Sequence, residues 1–280
     1  KMFAYSGWHF IGNSANILKN SGIDVILNLF FGPSINAAKG VANQVLHAIQ
    51  GFSNNFTTAL NPQIIQSYAQ GNVGYMMKLV YKGSRFSFYI LFLIALPIVV
   101  NADYIVNVWL KNVPPYAIVF VQLSVIVAAL SSLSNTLITA QNATGNVRNY
   151  QLIVGGIQLL NLPMSYFCLY LGFSPVCVLL VSIFVEIFSL VARLVMIPFY
   201  ISSFHRLVFL KEVILNCFLV VVCAAMLPFV VSKYFYLNDF ISCGLNVMLC
   251  FLCSAVSIMF VGCSRKERES ILSGIKAKFH

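Results

Sequence analysis

Apolar runs of about 20 residues recur along this chain, the length an α-helix needs to cross roughly 30 Å of hydrocarbon. No water is present in lipid to satisfy peptide N–H and C=O groups, so a spanning segment must bond its own backbone or close into a barrel. Continuous apolar runs lack the alternation of a barrel strand, which leaves an all-α, polytopic membrane protein. Composition agrees: 9% of residues are charged, 60% are hydrophobic and the mean hydropathy is +0.87, whereas soluble domains carry about 25% charged residues.

Eight spans are predicted, near residues 10–31, 38–60, 86–108, 116–139, 149–171, 175–198, 212–232 and 240–262. Turn chemistry separates them at Gly32-Pro33, Pro114-Pro115, Gly145-Asn146, Gly172 with Pro175, and Asn238-Asp239. Residues 62–85 read as a loop or interfacial helix bearing Lys78, Lys82 and Arg85.

Lys and Arg near span ends favour the cytoplasmic side. With the N-terminus inside, Lys1, Lys78, Lys82, Arg85, Arg148, Arg206, Lys211, Arg265, Lys266, Arg268, Lys276 and Lys278 fall on that side, and only Lys39, Lys111 and Lys233 fall outside. Both ends of this segment are therefore expected to be cytoplasmic. The formal charge of +10 then reflects topology and attraction to anionic lipid, and calls for no nucleic-acid partner.

Polar groups inside the spans are the candidate functional residues, because buried charge in a bilayer normally faces the bundle interior or an aqueous cavity. Within Gly40 to Phe56, the side chains Asn43, His47, Gln50 and Asn54 step by four, three and four, so they share one helical face. Gln44 and Asn55 add to an amide density beyond what packing needs, and a shielded, hydrated path along this face is expected. In the first span Asn20, Asp24 and Asn28 form a stripe, whereas Lys19 and Asp24 lie about 140° apart round the helix and do not face each other.

The fourth span carries Ser124, Ser131, Asn135 and Thr139; the fifth carries Gln151, Gln158, Asn161 and Ser165 beside Pro163; the sixth carries Ser182, Glu186, Ser189 and Arg193. Hydrogen bonding between helices is the alternative role for the fourth and fifth stripes. Asp24 and Glu186 are the candidate coupling carboxylates. Lys19 and Arg193 are candidates for meeting an anionic headgroup, with snorkelling to the interface as the alternative.

Eight cysteines lie in or at the ends of spans without zinc-ligand spacing and read as small packing residues. There is no HExxH, Walker loop or G-x-S-x-G, and the predicted outer loops are a few residues long. The chain is read as a non-enzyme with no cofactor or metal. It opens on Lys1 in place of Met, with no cleavage pattern, and is expected to begin within a longer protein.

The runs I-L-N-L-F-F-G-P-S-I-N-A-A-K-G-V-A-N-Q-V, Ile26 to Val45, and F-S-N-N-F-T-T-A-L-N-P-Q-I-I-Q-S-Y-A-Q-G-N, Phe52 to Asn72, resemble the second half of Wzx-type polysaccharide (O-antigen) flippases. So do Val108 to Tyr116, Thr139 to Gln151, Leu159 to Tyr166 and the tail R-K-E-R-E-S-I-L, Arg265 to Leu272. These flippases belong to the multidrug, oligosaccharidyl-lipid and polysaccharide exporter superfamily, which includes the MATE transporters. The resemblance implies residues 1–200 as the six-helix C-terminal lobe, 201–263 as two additional transmembrane helices and 264–280 as a basic cytoplasmic tail. It also implies a missing N-terminal lobe of the same chain.

The implied activity is translocation of undecaprenyl-diphosphate-linked oligosaccharide across a bacterial cytoplasmic (inner) membrane for lipopolysaccharide or other surface polysaccharide, with H+ or Na+ coupling. A MATE-like cation-coupled multidrug antiporter is the alternative within the fold. A membrane-embedded polysaccharide polymerase or transferase is the alternative from another class, and it lacks the long catalytic loop it would need.

Overall fold

The computed structural model describes residues 2–234, 240–269 and 273. The Asn238-Asp239 turn, Lys1, Lys276, Lys278 and most of the tail lie outside the described residues, as do the side chains of His9 and Lys233. Among the described residues every regular element is helical. In chain order they are α1 (Met2–Phe31), α2 (Pro33–Ala69), α3 (Val73–Val100), α4 (Ala102–Trp109), α5 (Ala117–Ser132), α6 (Asn135–Ala143), α7 (Arg148–Leu159), α8 (Asn161–Tyr170) and α9 (Cys177–Tyr200). There follow α10 (Arg206–Phe209), a π-helical stretch Leu210–Leu215, α11 (Asn216–Tyr234), α12 (Phe240–Ser257) and a second π-helical stretch Ile258–Gly262.

Six segments are long and apolar enough to cross a membrane: Val73–Val100, Ala117–Ala143, Arg148–Tyr170, Cys177–Tyr200, Arg206–Val231 and Phe240–Gly262. They match the last six predicted spans to within a few residues, apart from the third, which starts and ends earlier, and the seventh, which starts earlier. The first two predicted spans lie in α1 and α2, of 30 and 37 residues. These are long enough to cross but carry the Lys, Asp and amide side chains that lower their apolarity.

Of the two readings of residues 62–85, a loop or an interfacial helix, the loop is not present: most of the stretch is helical. Helix α2 continues through Pro62 to Ala69, and α3 begins at Val73, so the connection shrinks to Gln70–Asn72. Gly71 supplies the positive φ of 74°, and the Asn72 side chain caps α3 by accepting from Tyr75 N–H at 3.2 Å. Pro62 removes one helical hydrogen bond, but Ile64 is fully buried two residues on and Asn61 is held by Thr139 at 2.7 Å. Packing on both sides of the proline outweighs the lost bond.

Two spans break in mid-course. Between α5 and α6 the chain steps at Leu133 and Ser134, where the Leu133 carbonyl accepts from the Ser84 hydroxyl at 3.0 Å. Ser84 also bonds Thr136 at 2.6 Å, and Thr136 donates to the Val80 carbonyl at 3.0 Å. A discontinuity inside a membrane helix persists only where its freed backbone groups find such partners. The approach of α3 to α6 is close: a Cβ on Gly83 would stand 2.7 Å from Thr136 Cγ2. The second break, at Leu160, divides α7 from α8 three residues before Pro163.

The packing is inverted relative to a soluble bundle. Along α9, Ser182, Glu186, Ser189 and Arg193 are buried, while Phe184, Phe188, Val191 and Val195 are about half exposed. An apolar face turned outward and a polar stripe turned inward is stable only where the surroundings are hydrocarbon. The main apolar core joins α3, α6, α9, α11 and α12, so the last two spans pack against the body of the bundle. A second core joins α1, α2, α5 and α9.

Candidate functional site: a buried polar seam beside an open amide cleft

The α9 stripe faces the stripe of α7 and α8, and α1 adds a cation to both. Lys19 Nζ donates to Gln158 Oε1 at 2.6 Å and lies 3.6 Å from Glu186 Oε1. Gln158 Nε2 donates to Glu186 Oε1 at 3.1 Å and to Ser189 Oγ at 3.3 Å. One turn further along α9, Arg193 Nε donates to the Tyr150 hydroxyl and Arg193 Nη1 to Ser134 Oγ, both at 3.1 Å. In the opposite direction Asn161 donates to Ser182 at 3.0 Å and accepts from Ser165 at 3.1 Å. The seam therefore unites Lys19, Gln158, Asn161, Glu186 and Arg193 from the predicted site.

Neither Lys19 nor Arg193 snorkels: their exposures are 9% and 6%. Two formal cations meet one formal anion, Glu186, and the excess charge is dispersed over hydroxyl and amide acceptors. Charge in such a setting requires every donor to be placed, and the spacing of four, three and four on α9 places them on one line.

Asp24 is not part of this seam. Its partner is Lys39 on α2, at 2.5 Å, and Lys39 also donates to the Asn20 carbonyl at 3.3 Å. The Asp24 side chain is 43% exposed, whereas that of Lys39 is 8% exposed. Lys39, one of the three basic residues expected on the outer side, is thus a buried member of an interhelical pair. Tyr150 and Ser134 were also missed. Tyr150 lies at the end of its span and Ser134 between the stripe positions Ser131 and Asn135, so helical periodicity singled out neither.

The amide face of α2 lies elsewhere. Asn43 and Gln50 are half-buried, while Gln44, His47, Asn54 and Asn55 are exposed, so the face is open instead of roofed. Part of it walls a cleft of about 230 Å³ whose lining includes Gln50, Ser53, Asn54, Ser131, Ser132 and Asn135. Asn135 donates to Asn54 across it at 3.4 Å, and Ser53 bonds Ser87 at 2.6 Å. The cleft and the seam meet at the α5–α6 break, since Ser134 accepts from Arg193 while its neighbours Ser132 and Asn135 line the cleft.

All eight cysteines are free. Among the described residues no group of three or more His, Cys, Asp or Glu is placed to hold a metal. No protein-family model, curated protein or solved structure matches this chain.

Proposed function

We propose that this chain is one lobe of a flippase that carries lipid-linked oligosaccharide across the bacterial cytoplasmic membrane, with both ends of the segment cytoplasmic. One observation carries the reading: a buried seam with an excess formal cation adjoins an open cleft lined by uncharged amides and hydroxyls. Amides and hydroxyls hydrogen-bond sugar hydroxyls in either direction, and a guanidinium or ammonium meets a diphosphate by charge-assisted bonds. The lipid chain stays in the bilayer, against the apolar outer faces. A second lobe, supplied by the rest of the chain, closes the amide face of α2.

The spans fall into a lobe over 1–200, an added pair over 201–263 and a basic tail over 264–280. Ion coupling by H+ or Na+ falls to Glu186 inside the seam or to Asp24 paired with Lys39. No residue proposed to line the pathway is asked to make or break a covalent bond, so the role is transport without enzymatic chemistry.

The test is restoration of surface polysaccharide in a bacterium lacking its own flippase, by the complete protein carrying this segment. Arg193→Ala and Lys19→Ala are expected to lower the restored polysaccharide about tenfold or more, the scale of a lost charged hydrogen bond, with the protein still present in the membrane. Export of a cationic dye with no effect on polysaccharide would assign the protein to the MATE-like antiporters instead. Chain elongation by the purified protein would assign it to the polymerases.

A further inference from the structure

A second polar cavity lies about two turns along α3 from Leu91, which lines the cleft, where α3, the first π-helical stretch and the segment after α12 converge. It measures about 520 Å³, and Lys82, Arg85, Lys211, Glu212, Ser264 and Glu267 line it. Nothing in the transport reading uses these residues.

Arg85 is the central group. It is 9% exposed, its Nη2 donates to Glu267 Oε1 at 2.5 Å, and its guanidinium lies over the Phe86 ring at 5.7 Å. Its Nε is buried and donates to nothing among the described residues. A buried donor without an acceptor costs about 1–3 kcal/mol, which is a reason to look for a missing acceptor in the cavity that Arg85 lines.

The carboxylate of Glu267 is already committed. Its Oε2 accepts from the Ser264 backbone N–H at 2.9 Å and from Ser264 Oγ at 3.0 Å, while Oε1 takes Arg85 and lies 3.6 Å from Lys82. Arg85 and Glu267 cancel in formal charge. Lys82 and Lys211 then stand against Glu212 alone, leaving one uncompensated cation at the wall. The backbone that carries Lys211 and Glu212 is π-helical, a local geometry often found at functional positions. Within four residues of lining positions along the chain, Leu207, Leu210 and Phe260 are exposed and apolar, as a surface under acyl chains would be.

We propose that this cavity binds a phosphodiester whose net charge is that of a monoanion, with no cationic group of its own, and that Lys82, Lys211 and Arg85 are its donors. The single uncompensated cation favours a monoanion, and the Glu212 carboxylate facing the same space disfavours a dianionic phosphate monoester. A phospholipid headgroup or a water-soluble phosphodiester supplies this chemistry. The site is independent of the seam and does not rest on the transported substrate.

The experiment is native mass spectrometry of the full chain taken from bilayers of equal phosphatidylglycerol and phosphatidylcholine. The wild type is expected to retain phosphatidylglycerol about tenfold over phosphatidylcholine, and Lys82→Gln with Lys211→Gln to abolish the preference. Both lysines are exposed, so this double variant keeps its packing; Arg85→Lys is a second variant, expected to weaken retention by removing the directional donors. Displacement of the lipid by glycerophosphoglycerol would identify a soluble phosphodiester as sufficient, and persistence of the lipid would identify a site that needs the acyl chains. Equal retention of the two lipids by the wild type, or an undiminished preference in the double lysine variant, overturns the proposal.

Discussion

Lys19 and Glu186 share the side chain of Gln158: the amide carbonyl accepts from the ammonium at 2.6 Å while the amide nitrogen donates to the carboxylate at 3.1 Å. The opposite orientation of the amide would set N–H against the ammonium and oxygen against the carboxylate, so the chemistry selects one rotamer. A neutral side chain thereby stitches α1, α7 and α9 together and separates two opposite charges whose direct distance is 3.6 Å.

Gln158→Leu keeps the approximate volume but leaves Lys19 and Glu186 without their shared neutral partner. The expected loss is about 1–3 kcal/mol, read as a lower midpoint of thermal unfolding in detergent. An unchanged midpoint would mean that water replaces the amide and that the seam is hydrated.

Glu186→Gln removes the seam's one carboxylate and leaves Lys19 and Arg193 in place. The expected outcome in the complete protein is transport that no longer varies with pH, whereas Asp24→Asn, acting on a partly exposed carboxylate paired with the buried Lys39, changes the rate less. If both variants left transport and its pH dependence intact, carboxylate coupling in this lobe would be wrong.

Gly83→Ala places a methyl group 2.7 Å from Thr136 Cγ2, and Thr136 is fixed by bonds to Ser84 and to the Val80 carbonyl. Overpacking of this kind costs about 1–3 kcal/mol. Gly156→Ala is the control, because nothing lies within 4 Å of its added carbon. Comparable midpoints for the two variants would show that α3 and α6 yield at their crossing.

Glu267 links the segment after α12 to α3 through Arg85. Burial alone would raise its carboxyl, but hydrogen bonds from Ser264 and the charges of Arg85 and Lys82 outweigh that and hold it below the ordinary 4.5. A depressed carboxyl contributes stability above its unfolded-state value and loses it as pH falls through the lower folded value. Unfolding midpoints are therefore expected to fall more steeply below about pH 4.5 in the wild type than in Glu267→Gln. Parallel acid profiles for the two proteins would remove Glu267 from the account.

The polar stripes were legible because helical spacing is strict. Ser182, Glu186, Ser189 and Arg193 had to share one face of any helix through them, as had Gln158, Asn161 and Ser165. Which stripe met which was not legible, since periodicity orders residues round one axis and carries nothing about the neighbouring axis. Asp24 illustrates the gap: its angular distance from Lys19 was readable, but its partner, Lys39, lies across a turn on another helix. The stretch over 62–85 reads as a loop or an interfacial helix because Pro62 signals a break locally, while the packing of Ile64 and the bond to Asn61, which carry α2 through the proline, act from outside the segment.

The sequence by itself determined that this chain is helical and membrane-embedded, because the need to satisfy backbone groups in hydrocarbon follows from the length and apolarity of each run alone. It also determined which residues lie on one helical face, a matter of 3.6 residues per turn. Only the tertiary structure decided that Lys19, Gln158, Glu186 and Arg193 form one seam, that the amides of α2 stay open beside it, and that Arg85 keeps a buried donor unspent at a second cavity on α3. These are distances between separate helices, set by how their side chains interlock, and no local pattern encodes them.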